Sequence, residues 1–219
     1  LAALLQGLED VAHALVDPAL DLTRLKGEFR FDNAKGLSGK GVQAQAFDRP
    51  VTAEIAAEGK PGANLTRVVA NGQITVKRLS EWLGVTQPLP VSGDLPYQLQ
   101  LTLGADSQLR INSSLQGVAV DLPAPFGKAA DTSLDSEFRM TLEGAERRFG
   151  FAYGKLANLA FAAAPGKLAD GRGELFLGDG GAIVPDAKGL RVRGSLSELD
   201  VAPWQAMVNR YAGEDPGGN

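Results

Sequence analysis

The chain has 219 residues, 44% of them hydrophobic and 22% charged, a balance typical of a folded chain rather than a disordered one. A formal charge of −4 excludes a strongly basic nucleic-acid surface, and the absence of cysteine removes disulfides, thiolate metal sites and cysteine nucleophiles. With His13 as the sole histidine no all-histidine metal centre is available, and 27 glycines, 12 prolines and 6% aromatics argue against an all-helical core.

Residues 1–17 carry a helical period. Leu1, Leu4, Leu5, Leu8, Val11, Ala12, Leu15 and Val16 share one face, while Gln6, Glu9, Asp10 and His13 share the other, and Pro18 stops the run. The spacing predicts an N-terminal amphipathic helix. From residue 18 to 219 the period is two, as in Leu95, Tyr97, Leu99, Leu101 and Leu103 alternating with Gln98, Gln100 and Thr102. Turn signals fall at Gly36–Gly39, Asn71-Gly72, Gly104–Asp106 and Gly178–Gly181, so about 10 to 12 strands of a mainly β, antiparallel chain are expected. Two short helices interrupt them, at 79–84 and 203–211, each with one of the two tryptophans. Gly72 to Trp82 and Gly194 to Trp204 have the same Gly-to-Trp spacing, with Ile74 matching Leu196 and Leu79 matching Val201, as a strand-then-turn unit used twice would give.

Motifs with chemical potential are weak. Gly36-Leu-Ser-Gly-Lys-Gly41 lacks the phosphate-loop spacing and runs into alternating residues, so it reads as a hairpin turn. His13 has carboxylate neighbours but no nucleophile, and Glu198 and Asp200, two apart on an expected strand, match any wet strand face. Basic residues are scattered, with Lys77-Arg78 and Arg147-Arg148 as the adjacent pairs, so no electrostatic footprint for nucleic acid is expected. No enzyme, cofactor or metal site is expected. The most apolar run, 156–165, is broken by Asn158 and falls short of the roughly 20 residues of a spanning helix. No basic n-region of a signal peptide is present, and neither Met140 nor Met207 begins the chain, which reads as an internal piece of a longer protein.

Period-two strands with one apolar face are compatible with a sandwich, a closed barrel or an open trough. The stretch Leu115-Gln-Gly-Val-Ala-Val-Asp-Leu-Pro-Ala-Pro-Phe-Gly-Lys128, with Leu109–Ser114 before it and the endings at Trp82 and Trp204, resembles the YhdP-type branch of the AsmA-like family. Those proteins resemble bridge-like lipid-transfer proteins. The resemblance implies a long curled sheet forming an open taco-like groove, with phospholipid as partner. It also implies a periplasmic setting, with the parent chain anchored in the inner membrane and serving the outer membrane. On that basis the groove lining is expected from Val51, Ile55, Ile74, Val76, Leu95, Tyr97, Leu99, Leu101, Leu103, Leu109, Ile111, Leu115, Leu134, Phe138, Met140, Leu142, Phe149, Phe151, Leu175, Leu177, Val192 and Leu196. Lys128 would meet a headgroup or be solvated, and the N-terminal helix would cap or partly fill the groove. The other reading is a sandwich-like scaffold or protein-interaction segment that binds no lipid, and the end strands carry a risk of self-association.

Overall fold

The computed structural model describes residues 22–33, 35–60, 63–85, 87–198 and 200–211; the helix expected over 1–17 lies outside them. The strands are β1 (Leu22–Asp32), β2 (Gly36–Ala46), β3 (Arg49–Ala57), β4 (Thr66–Thr75), β5 (Val91–Leu103), β6 (Gln108–Ser113), β7 (Val118–Val120), β8 (Ser136–Thr141), β9 (Arg147–Tyr153), β10 (Ala157–Ala163), β11 (Arg172–Leu177) and β12 (Gly189–Gly194). Two helices, α1 (Val76–Trp82) and α2 (Val201–Tyr211), follow β4 and β12. Helix α1 starts earlier than the period indicates because the Thr75 hydroxyl accepts from the Arg78 amide at 3.0 Å, capping the first turn. At α2 the Asp200 carboxylate accepts from the Ala202 amide at 3.1 Å, so Asp200 is a helix cap and not one of a pair on a strand.

All twelve strands join one sheet whose spatial order follows the chain, except that the short β7 pairs with the start of β5. Substantial contacts run between sheet neighbours, and β1 and β12 do not meet, so the sheet is open. No second sheet packs across it among the described residues, unlike a sandwich. Ten strand spacings make it about 48 Å wide.

Two turn signals are corrected. Asn71-Gly72 lies inside β4, where Gly72 opposes Tyr97 and a Cβ would strike the tyrosine ring. Gly36–Gly41 lies in β2, whose register slips between Gly39 and Val42 at Gly41 (φ +57°), a bulge only glycine adopts freely. The real β2–β3 turn is Phe47-Asp48, both at positive φ as a two-residue hairpin turn requires. Phe47 tolerates that conformation while its ring meets Trp82 edge-on at 5.4 Å.

The antiparallel expectation fails at the last pair, since β12 lies parallel to β11. The chain between them must therefore return along the sheet, and residues 178–188 do so over the polar face. The Asn158 amide donates to Gly180 O at 2.7 Å, and the Ile183 amide donates to Glu174 Oε1. Glu174 is left fully buried, bound by Arg193 Nε at 3.0 Å and by Arg191. The Arg193 hydrogen bond first, then Arg191 and the Ile183 amide, hold its carboxyl below the ordinary value against the opposing effect of burial.

A carboxyl depressed in the fold binds its proton more readily in the unfolded chain. Its contribution is therefore intact above the unfolded value and lost as pH falls through the folded one. Glu174→Gln is expected to melt roughly 5 °C lower near neutral pH. It should also lack part of the acid-induced decline that wild type shows, as parallel melts across pH would reveal.

Candidate functional site

The register joins apolar residues of successive strands into rows on one face. Ile55 faces Val68, which faces Leu101, then Leu109, then Met140, Phe149 and Phe161. A second row runs Ala70, Leu99, Ile111, Phe138, Phe151, Leu159, Leu175 and Val192. A third joins Ile74 to Leu95, with Gly72 and Tyr97 between the rows. The face continues through Val51, Ala44 and Gly39 to Phe29 at the first edge. Alternation sends the residues between them to the other face, which is polar. There Glu137 receives Arg139 at 2.9 Å and Arg110 at 3.6 Å, and Gln98 donates to Asn71 at 3.2 Å.

Loops fold over both ends of the strands. At one end Val118, Val120, Leu122 and Phe126 pack with Val76, Leu95, Tyr153 and Trp204. The Tyr153 hydroxyl donates to Phe126 O at 2.9 Å, and Phe126 meets Trp204 edge-on at 5.8 Å. Lys128 Nζ donates to Val118 O and Ala129 O, each at 2.7 Å, so this amine ties its own loop together. Burial of the amine lowers its pKa, with Asp131 opposing.

At the other end Leu168 enters from a single 3-10 turn and joins Leu109, Met140, Phe149 and Phe161. Beside it Phe138, Phe149, Phe151, Leu159, Phe161 and Leu168 surround an apolar cavity of about 190 Å³. A dry cavity of about 150 Å³ suffices for a benzene-sized guest. Phe151, which lines this cavity, is still 41% exposed, and the face is open at Leu103 (43%) and Val192 (57%).

A family model described as YhdP protein matches residues 8–218. The chain belongs to the YhdP family. No curated protein and no solved structure matches it. In this YhdP-family chain the Asp121–Lys128 segment is a loop closing one end of the apolar face, with a cis bond between Ala124 and Pro125.

Of the expected lining residues, Val51, Ile55, Ile74, Leu95, Tyr97, Leu99, Leu101, Leu103, Leu109, Ile111, Phe138, Met140, Phe149, Phe151, Leu175, Leu177 and Val192 occur in strands on this face. Five do not lie in strands. Val76 begins α1, while Leu115, Leu134, Leu142 and Leu196 are in connecting segments; Leu115 takes a positive φ of 52°. All five still pack against the end clusters.

Phe29, Val68, Ala70, Leu159 and Phe161 belong to the face without having been expected there. Leu159 and Phe161 are hidden in the sequence because Ala160 and Ala162 alternate with them. Those alanines face the polar side, but Ala162 is 1% exposed there and Ala160 lines a shared cleft with Gly181 and Ala182 of the crossover, so β10 is covered on both faces and reads as a continuous apolar run. Among the described residues no cluster of His, Asp or Glu could hold a metal ion, and no helix is long and apolar enough to cross a membrane.

Proposed function

We propose that this chain is one length of a lipid-transfer conduit rather than an enzyme. On this reading it carries phospholipid acyl chains along its apolar face, between the inner and outer membranes of a Gram-negative envelope. The parent chain would be anchored in the inner membrane, with this segment in the periplasm. The carrying observation is the run of apolar residues in register from β1 to β12 on a sheet that, among the described residues, neither closes nor meets a second sheet.

An open apolar face of this extent is uncommon on a soluble chain unless something apolar occupies it. Each acyl methylene withdrawn from water is worth about 0.8 kcal/mol, so a two-chain lipid gains on the order of 20 kcal/mol from such a lining. The headgroup stays wet at the open side. Rows of similar side chains make neighbouring positions nearly equal in energy, which suits sliding better than storage. Membership of the YhdP family supports the same reading.

In-cell photocrosslinking in the full-length parent tests it. Leu101 is on the apolar face, opposite Val68 and Leu109, and Gln100 is on the polar one, opposite Val69 and Arg110. Phospholipid adducts are expected with the probe at 101 and not at 100. Adducts at neither position would move the reading to the non-lipid scaffold.

A further inference from the structure

Arg147 opens β9 and, by alternation, shares the apolar face with Phe149 and Phe151. Its register partner is Ala163, 3% exposed, in the cluster of Phe149, Phe161 and Leu168. Nε and Nη1 of its guanidinium are buried and meet no hydrogen-bond acceptor among the described residues. The carboxylates beside it in the chain are occupied elsewhere. Glu146 holds Arg172 through contacts of 2.9 and 3.3 Å, and Glu143 accepts from Ser107 Oγ at 2.7 Å. Arg148 faces the other way, and its backbone amide donates to the Thr141 hydroxyl at 2.9 Å.

Native folds pair nearly all buried polar groups, yet the half-buried Arg147 keeps two guanidinium nitrogens covered and without an acceptor among the described residues. Arg147 thus offers unused N–H donors on the apolar face. The cavity lined by Phe149, Phe161 and Leu168 begins one in-phase position further along the same strand, about 6.8 Å away. A fork of N–H donors next to an apolar slot matches the two halves of one molecule, an anionic phosphodiester and its acyl chain. We infer that Arg147 binds the phosphate of a phospholipid whose acyl chain lies on this face, an assignment that rests on the conduit reading above.

The test compares wild type, Arg147→Met and Arg147→Lys in the full-length parent. Each is loaded from phosphatidylglycerol vesicles and, separately, from detergent micelles carrying diacylglycerol with the same acyl chains. In Arg147→Met, phosphatidylglycerol loading is expected to fall about tenfold, the worth of one charge-assisted hydrogen bond, with diacylglycerol loading unchanged. Arg147→Lys should retain an intermediate level. Arg147→Met should also melt no lower than wild type, because an apolar chain replaces an unpaired charge.

Unchanged phosphatidylglycerol loading in Arg147→Met would overturn the assignment while leaving the conduit intact. A lower melting temperature would overturn it by giving the guanidinium a role in holding the fold. Displacement of the lipid by inorganic phosphate alone would overturn it in favour of a soluble anion. If wild type takes up neither lipid, the conduit reading fails and this assignment with it.

Discussion

Replacing Phe161 with alanine is expected to destabilise the fold by about 3–5 kcal/mol, the largest single loss available on the apolar face. The side chain is 2% exposed, and its ring lies 6.5 Å from that of Phe149. It fills the space over Gly171 and Gly173, where a Cβ on either glycine would collide with it. Glycines carry no side chain that could relax into the hole, so the vacated volume stays empty and the full cavity term applies. Thermal unfolding should show a drop on the order of 10 °C. Phe161→Leu, which keeps most of the volume, should lose under half as much. Equal melting of all three proteins would mean that Phe161 is not a core residue.

The second large effect concerns lipid and leaves stability nearly untouched. Phe151 lines the apolar cavity yet is 41% exposed, between Phe138 and Leu159 in register. A glutamate there still reaches water in the empty protein, so folding should change little. With an acyl chain across the position, the carboxylate would have to be desolvated without a partner, which is unfavourable by several kcal/mol. Phospholipid co-purifying with the full-length Phe151→Glu parent is expected to fall at least about tenfold. Gln100→Glu is the matched control, because its new carboxylate would stand on the polar face opposite Arg110. Loading that survives Phe151→Glu, or that falls equally in the control, would sink the conduit reading.

Alternation was most readable where one face is wet and the other apolar, as in β5 and β8, where in-phase residues occupy one side. It misled where that contrast disappears. β10 is covered on both sides, so Phe161 merged into an alanine-rich run. Val76 kept the period of β4 for one position past its end because the Thr75 cap, not hydrophobicity, decides where the helix begins. The parallel β12 has no local signature at all. Its direction follows from a crossover held by Glu174, whose partners are 9 to 19 residues away in the chain. Arg147 read as half of a basic pair because adjacency in sequence conceals that Arg147 and Arg148 point to opposite faces.

Because each strand leans mainly on its two neighbours, cohesion is passed along the sheet as through links rather than concentrated at a centre. Arrays of that kind behave as nearly one-dimensional systems, in which melting creeps inward from the ends and each added unit brings its own nearest-neighbour term. β1, exposed along almost its whole length, is the natural starting point for such fraying, while β8 to β10 resist longest. The same arithmetic makes length a free variable. A ribbon with no closure condition accepts another strand at either rim without redrawing its interior, so its span is set by how many strands the chain supplies rather than by geometry.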